Sequence, residues 1–290
     1  MGIFDQIRLA AQLERVVREK DYSTESDLSG MQNLKSTGSN IITADTIRGC
    51  DQNCFECYVL KGGAQAQITH QNPIENKLIG TLKKGEILRL GTSGEPGKNW
   101  AHTNKEAKAL FERSKENGVT PKNSLFFISK LLHLKGFDPK VERNIEASLD
   151  PFYPAHMVKT MQNVIKVKKE HPNTTIALRI RSFESKNPQL QATLDAAIDF
   201  ANKMGLDVLE TRMRFVKNTS LEILQLDKDK YVKKARPGTE KGNQWKLKKP
   251  ALKGVKTKHK VCDEGETGKC EDCKNCEKLM FPHLHKGSKK

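Results

Sequence analysis

The sequence predicts an α/β fold built on a parallel sheet, and two patterns predict it. Past residue 40, short runs of apolar and β-branched residues alternate with longer segments of helical periodicity. Six such runs occur, and each but the last precedes a helix-length segment. That order is typical of parallel strands joined by right-handed crossovers. The chain has 290 residues, enough for one large domain or for one domain with a small appendage.

The predicted elements follow one another in a regular order. The candidate strands are residues 40–47, 86–91, 124–130, 143–150, 174–181 and 206–215, and the helical segments include residues 103–118, 153–171 and 188–205. The last helix carries an apolar stripe and ends at Gly205, a typical C-cap residue. These patterns fit either an open doubly wound sheet or a barrel, complete or partial. In both, functional residues are expected at the carboxyl ends of the strands.

The N-terminal segment predicts a helix rather than a targeting signal. Residues 1–22 have amphipathic spacing, and we expect residues 1–39 to form this helix and a connection to the first strand. The apolar core and the cleavage site of a signal peptide are missing from it. No apolar run in the chain approaches the roughly 18 residues that a membrane span needs. A cytoplasmic location and no membrane partner are therefore expected.

Seven cysteines form two groups with none between them. The groups are Cys50, Cys54 and Cys57, and Cys262, Cys270, Cys273 and Cys276. An odd number of cysteines in a long chain without an export signal is a poor match to a disulfide scaffold. Two metal or cluster sites, with three and four thiolates, would account for every cysteine.

The first group has the spacing C-x3-C-x2-C. Soft metals and iron–sulfur clusters select thiolate ligands. Three thiolates from one loop can hold three corners of a [4Fe–4S] cluster and leave the fourth iron open, and an open position is typical of a catalytic metal. The alternative is a zinc site completed by a histidine such as His70 or His102.

Cys50, Cys54 and Cys57 resemble the motif of the radical S-adenosylmethionine (SAM) superfamily, and the resemblance covers roughly residues 40 to 215. It implies a partial (β/α)6 TIM-like barrel over residues 40–226, with a small C-terminal cysteine-rich extension. It also implies that SAM binds the open iron of a [4Fe–4S] cluster. A one-electron reductant such as flavodoxin or ferredoxin would then drive cleavage of SAM to methionine and a 5′-deoxyadenosyl radical, which abstracts a substrate hydrogen.

The stretch "GTSGEPG", residues 91–97, is similar to the glycine-rich motif that holds the SAM methionine amine in this superfamily. The resemblance nominates Gly91, Thr92, Ser93, Gly94 and Glu95. By itself the stretch also fits an ordinary glycine- and proline-containing turn. The chain departs from the family pattern at Glu56, where an aromatic residue commonly precedes the third cysteine.

Two later strands supply further candidates by the same resemblance. Ser148 and Asp150, in "EASLDP", occupy the position that contacts the SAM ribose, although they could equally cap the next helix. Arg179 and Arg181, in "RIRS", occupy the position of a basic residue that meets the SAM carboxylate, although salt bridges are the alternative. His102, Lys130 and Tyr153 are candidate acids or hydrogen donors at the barrel mouth.

The second cysteine group closes residues 262–290 into a small segment held by its metal rather than by a core. Three cysteines at consecutive x2 spacings resemble ferredoxin-type winding and favour a second, fully ligated [4Fe–4S] cluster. Structural zinc is the alternative. The arrangement of the two cysteine groups is loosely similar to that of phage and bacterial members of the superfamily.

Charge indicates an anionic partner. The net charge is +16, and residues 227–261 hold 13 Lys and Arg against 3 Asp and Glu. This segment predicts a basic linker or arm that could bind RNA or DNA, with Trp245 and Tyr231 as stacking partners. A solvated lysine-rich arm is the alternative. We expect a radical SAM enzyme acting on a nucleic acid or nucleotide; a peptide or metabolite substrate, or a non-catalytic zinc-stabilised nucleic-acid-binding protein, are the rival hypotheses.

Overall fold

The structure is a computed structural model, and it describes a defined part of the chain. The described residues are 34–35, 40–48, 70–71, 73–74, 79–91, 94–215, 222, 224–234, 244–262 and 273–281. The first cysteine group, Thr92, Ser93, Cys270 and the predicted N-terminal helix lie outside them. Among the described residues, no helix is long and apolar enough to cross a membrane.

The described elements alternate between strands and helices along the chain. The strands are β1 (Leu34–Lys35), β2 (Ile41–Ala44), β3 (Ile47–Arg48), β4 (His70–Gln71), β5 (Ile87–Leu90), β6 (Leu125–Ser129), β7 (Asn144–Leu149), β8 (Thr175–Ser182), β9 (Asp207–Arg212), β10 (Arg214–Phe215), β11 (Tyr231–Lys234), β12 (Gln244–Leu247) and β13 (His259–Val261). The α-helices are α1 (Trp100–Arg113), α2 (Pro121–Ser124), α3 (Pro154–Glu170), α4 (Pro188–Met204) and α5 (Asn275–Met280).

The main sheet has the spatial order β1-β2-β5-β6-β7-β8-β9-β13. The short β1 is antiparallel to β2, and the remaining seven strands are parallel to one another. Spatial order follows chain order, so the parallel part forms a half-barrel with helices along it. Two small antiparallel sheets, β10-β12-β11 and β3-β4, complete the described architecture.

The predicted parallel α/β class is confirmed, and each of the six predicted strands overlaps a strand of the main sheet. Regular alternation of strand and helix is not complete, because residues 130–143 cross from β6 to β7 through turns alone. Gly205 ends α4 with φ +62°, as its position predicted. The left-handed conformation at this position is one that glycine adopts without steric cost.

The described part of residues 227–261, for which the sequence predicts a linker or arm, contains three strands. β11 and β12 pair with each other, and β13 joins the main sheet in parallel register with β9. The sequence pattern does not reveal β13, because only one of its three residues, Val261, is apolar. Backbone pairing and a contact of 2.9 Å from His259 Nε2 to the buried Glu210 carboxylate hold the strand in place.

The two faces of the main sheet pack against different partners. Side chains alternate between faces along a strand, so Leu88 and Leu90 pack in the core under the helices. Ile87 and Phe126 lie on the opposite face, which we call the inner face. Helix α5 and the residue after it, Phe281, cover this face, and the rings of Phe126 and Phe281 meet edge to face at 6.2 Å. The C-terminal segment is therefore packed into the concave side of the half-barrel.

A buried carboxyl group before β7 makes stability depend on pH. Glu142 is 0% exposed and accepts a hydrogen bond from the backbone N–H of Asp138. Burial, with a smaller repulsion from the Asp138 carboxylate, raises the pKa of Glu142 from 4.5 to about 8. The protonated form is thus favoured in the folded state. The stabilisation that protonated Glu142 contributes is complete below the ordinary glutamate pKa of 4.5. It is lost as the pH rises through the folded-state pKa of about 8.

We predict that Glu142→Gln, which cannot ionise, becomes more stable relative to the parent protein as the pH rises. The difference in unfolding free energy should widen by at least about 1 kcal/mol between about pH 5 and about pH 9, since one pKa unit corresponds to about 1.4 kcal/mol. Urea unfolding at the two pH values measures it, with the exposed Glu116→Gln as control. An equal difference at both pH values would contradict the assignment.

Candidate functional site

The turn after β5 brings two neighbouring strands unusually close. Gly91 has φ +90°, and a Cβ atom there would lie 2.0 Å from the carbonyl oxygen of Ile128 on β6. Any larger residue would therefore force the strands apart. The packing of the two strands therefore requires glycine at position 91, which is also a candidate contact for SAM. Gly94 follows it within the described residues.

Glu95 connects the turn after β5 to the turn after β6. One carboxylate oxygen accepts hydrogen bonds from the Ser129 hydroxyl and from the backbone N–H of Gly97, the latter at 3.1 Å. The other oxygen accepts from the backbone N–H of Lys130 at 2.7 Å. Glu95 is 5% exposed, and burial raises its pKa. The side chain of Glu95, a residue nominated for the SAM site, is thus engaged with the chain itself, where it holds the two turns together.

Hydrogen bonds with neighbouring side chains fix the backbone of the turn that carries Lys130. The Lys130 carbonyl accepts a hydrogen bond from the Thr160 hydroxyl of α3. Leu131 has φ +51°, and its N–H donates to the Ser129 hydroxyl at 2.8 Å while its carbonyl accepts from the Asn163 side chain at 2.7 Å. A positive φ at leucine costs of order 1–3 kcal/mol, and such strain is concentrated at functional sites. The turn therefore presents Lys130 in one defined direction.

A charged cluster lies at the carboxyl ends of β6, β7 and β8. The Asp150 carboxylate lies 3.5 Å from Lys130 Nζ and 3.6 Å from the Arg181 guanidinium. Lys130 Nζ also stands 5.2 Å from the centre of the Tyr153 ring, within the range of a cation–π contact. Two cations surround one carboxylate, so the cluster has a net positive charge that suits an anionic group. We call these four residues the carboxyl-edge cluster.

Two members of this cluster, Asp150 and Arg181, were nominated separately from the sequence, and the structure brings them together. Lys130 was named only as a candidate acid. The available signal was a lysine at the end of a predicted strand, but nothing in the local sequence indicates that it reaches Asp150 twenty residues later. His102, named beside it, lies in the first turn of α1 and is part-buried there.

Described residues that precede the first cysteine group lie beside the turn that carries Glu95. Thr46 and Thr103 lie with their hydroxyl oxygens 2.8 Å apart, and the Thr103 hydroxyl donates to the carbonyl of Pro96 at 3.2 Å. β3 lies against the short 3₁₀ helix that begins at Pro96. These bonds bring the residues around β3 to the glycine-rich turn, and Cys50 follows β3 by two residues in the sequence.

Arg179 points away from the carboxyl-edge cluster, along the inner face. It pairs with Ser148 in the register of β7 and β8. Its Nε and Nη2 atoms donate to the buried Glu146 carboxylate at 3.0 and 2.6 Å, and Nη2 lies 3.5 Å from Cys276 Sγ. The two arginines nominated for the SAM carboxylate thus occupy different places: Arg181 contacts Asp150, and Arg179 contacts the C-terminal cysteine segment.

Three of the four C-terminal cysteines line a single cavity on the inner face. The cavity is lined by Ile41, Arg89, Arg179, Cys262, Cys273, Lys274, Asn275 and Cys276. Cys262 follows β13, and the other two cysteines flank the start of α5. Burial, together with the nearby Glu146 carboxylate, raises the pKa of the Cys276 thiol in the absence of a metal. The folding of β13 and α5 therefore brings thiols from separate segments to the same place.

The donor set of this cavity fits a thiophilic metal or an iron–sulfur cluster, because sulfur ligands select both. The arrangement is not a closed metal site within the part of the chain that the structure describes. There, no group of three or more His, Cys, Asp or Glu side chains is placed to hold a metal ion. Cys270, the fourth predicted ligand, lies outside that part.

The basic segment presents its charges on a folded surface. Among the described residues of 227–261, eight lysines are exposed: Lys228, Lys230, Lys233, Lys248, Lys249, Lys253, Lys256 and Lys258. The prediction that Tyr231 stacks on bases is wrong, because its ring is 2% exposed and packs in the main core. Its hydroxyl accepts from the backbone N–H of Glu184 at 3.1 Å. Trp245 is part-buried against the same core.

Comparison with known proteins adds no family to these observations. A scan against protein-family models found no match, and searches of curated proteins and of solved structures also found none. Function is therefore inferred from the residues of this chain and from their geometry.

Proposed function

We propose that this chain is a radical SAM enzyme that holds a [4Fe–4S] cluster on Cys50, Cys54 and Cys57. The observation that supports the proposal most is the Thr46–Thr103–Pro96 contact, because Thr46 precedes Cys50 by four residues and Pro96 belongs to the glycine-rich stretch after β5 of the parallel half-barrel. Two motifs that are far apart in the chain are expected to share one site, and the described residues bring their flanks together. When bound, such a cluster supplies the electron that cleaves SAM to methionine and a 5′-deoxyadenosyl radical.

The residues of the carboxyl-edge cluster would bind and orient SAM. Lys130 and Arg181 offer two positive charges to its carboxylate, while Asp150 keeps both cations in place. The fixed turn at Leu131 means that little side-chain and backbone freedom is lost on binding. Gly91 and Gly94 allow close approach of the backbone, and Ser148 is the candidate ribose contact one strand away. SAM, a one-electron reductant and the substrate would be the partners.

Cleavage of SAM tests the central proposal directly. Protein purified without oxygen should contain iron and sulfide, and dithionite with SAM should release 5′-deoxyadenosine. We predict that Cys54→Ala abolishes this product, because a cluster cannot be retained on two of its three thiolates. The neighbouring Gln52→Ala is the matched control and should keep the activity. Product formation by Cys54→Ala would refute the ligand assignment, and a protein containing zinc alone would favour the non-catalytic rival.

Arg181 provides a quantitative test of the carboxyl-edge cluster. Loss of one charge-assisted hydrogen bond costs about 1.5–3 kcal/mol, and about 1.4 kcal/mol corresponds to tenfold in affinity. We therefore predict that Arg181→Gln weakens SAM binding by about tenfold or more, measured by calorimetry on cluster-loaded protein. Arg113→Gln, at the far end of α1, is the control and should bind SAM normally. Unchanged affinity in Arg181→Gln would remove this residue from the SAM site.

The substrate class follows from the charge of the protein, and we propose a nucleic acid or nucleotide. The eight exposed lysines of residues 227–261 support it, because neutralising phosphates releases counterions and so favours binding. Such a surface contributes most to the binding free energy when the partner is a polyanion. Trp245, part-buried, is the remaining aromatic candidate for contact with a base.

We predict that RNA or DNA binding falls steeply with salt, with a log–log slope of about −5 if about six phosphates are contacted. Replacing Lys230, Lys233, Lys248 and Lys249 together by glutamine should weaken binding and make the slope less negative. Fluorescence anisotropy over a salt series measures both. Replacing four exposed lysines elsewhere (Lys84, Lys105, Lys115 and Lys166) is the control. Absence of binding at low salt would favour a peptide or metabolite substrate.

A further inference from the structure

The contact between Arg179 and Cys276 joins the inner face of the sheet to the second cysteine group. Arg179 comes from the middle of β8 and Cys276 from the first turn of α5, ninety-seven residues later in the chain. The Arg179 side chain is 16% exposed and that of Glu146 is fully buried. The guanidinium is therefore held in a defined orientation between a carboxylate and a sulfur atom, largely out of water.

Two guanidinium groups line the cavity. Arg179 pairs with Glu146, and Arg89 donates to the Thr43 hydroxyl at 3.0 Å. A [4Fe–4S]2+ cluster with four thiolates has a net charge of about −2, which nearby positive groups favour. The cavity thus combines sulfur ligands with a positive surrounding that favours an anionic centre.

Hydrogen bonds and positive charge at a cluster sulfur stabilise the reduced form, because reduction adds one negative charge to the centre. Arg179 can provide both effects at Cys276, since its Nη2 atom already lies 3.5 Å from the sulfur. The negative charge of Glu146 opposes the effect of the Arg179 charge. The two hydrogen bonds that Glu146 accepts nevertheless fix the orientation of the Arg179 guanidinium. One partner of Arg179 is Cys276, a candidate cluster ligand. The contact can therefore change the reduction potential of a cluster as well as stabilise the fold.

We propose that Arg179 is a positioning residue of the C-terminal centre: it donates a hydrogen bond to the cluster-bound sulfur of Cys276 and raises the reduction potential of a [4Fe–4S] cluster there. This rests on a second [4Fe–4S] cluster at the C-terminal cysteines, which the function proposed above does not include; the x2 spacing of these cysteines favours it, and the cavity supplies its sulfur donors. An external one-electron reductant would supply the electron, and Arg179 with Glu146 would set how readily such a cluster accepts it.

The potential of the C-terminal centre can be measured alone in the full-length chain that carries Cys50→Ala, Cys54→Ala and Cys57→Ala. In that background, a dithionite titration followed by electron paramagnetic resonance reports only this cluster. Arg179→Gln should shift the midpoint potential to more negative values, and Arg179→Lys, which keeps the charge, should shift it less. Glu146→Gln should shift it in the opposite direction, because a negative charge is removed. Arg113→Gln is the control and should leave it unchanged.

The outcomes separate this inference from the proposed function. Unchanged potentials in Arg179→Gln and Glu146→Gln at full iron content would overturn the tuning role and leave only a structural contact. Shifts of the same sign in both variants would overturn it as well. Zinc in place of iron in the triple-alanine background would also refute it, while the parent protein could still cleave SAM. Conversely, the expected shifts without SAM cleavage by the parent protein would uphold Arg179 and refute the enzyme proposal.

Discussion

The candidate site depends on one buried carboxylate. Glu95 follows the glycine-rich turn of β5, and it accepts hydrogen bonds from the Ser129 hydroxyl and from the backbone N–H groups of Gly97 and Lys130. A carboxyl group removed from water is costly unless such partners offset the loss of solvation. Here three donors converge on it from two different loops, so the ends of β5 and β6 are joined. Without this junction, neither the position of the turn nor the direction of Lys130 would be defined.

The same junction explains why the strained backbone at Leu131 is tolerated. Its left-handed conformation lies between Ser129 and Asn163, and both side chains satisfy its backbone groups. A flexible loop would relax to an unstrained conformation and withdraw the lysine that precedes it. Because Glu95 and Thr160 also fix the Lys130 backbone, the cost of the strain is distributed over an already folded framework. The carboxyl-edge cluster is therefore organised before any ligand arrives.

Periodicity predicted the parallel strands well, because strands buried on both faces are rich in apolar residues. It missed β13, which has one apolar residue in three and whose position is set by pairing with β9 and by the contact of His259 with Glu210. It also took Tyr231 for an exposed ring, since the sequence of a basic segment does not reveal that one of its strands packs on the core. Long-range pairing, rather than local pattern, decided both cases.

The two arginines of β8 are a second case in which the local sequence does not predict the contacts. Arg179 and Arg181 point to the same face, because they are two residues apart on a strand, and the sequence treats them as equivalent. Two residues of strand span about 7 Å, which is enough to separate their contacts. Arg181 reaches Asp150 at the carboxyl edge, whereas Arg179 reaches Cys276 under the inner surface. Only the position of the C-terminal segment, brought there by β13 and α5, distinguishes them.

This placement has a consequence for how two metal centres could share one fold. Strand β8 contributes Arg181 to the carboxyl-edge cluster. Its Arg179, on the same face, contacts Cys276 of the C-terminal group. The second cysteine group is therefore not an appendage remote from the barrel, since Cys276 and Phe281 belong to the apolar packing of the inner face. A cluster held there would lie on the same concave surface as the proposed SAM site, against the buried Cys276. Its charge and potential would then be governed by buried groups of the sheet, which is the condition under which a single hydrogen-bonding residue has a measurable effect.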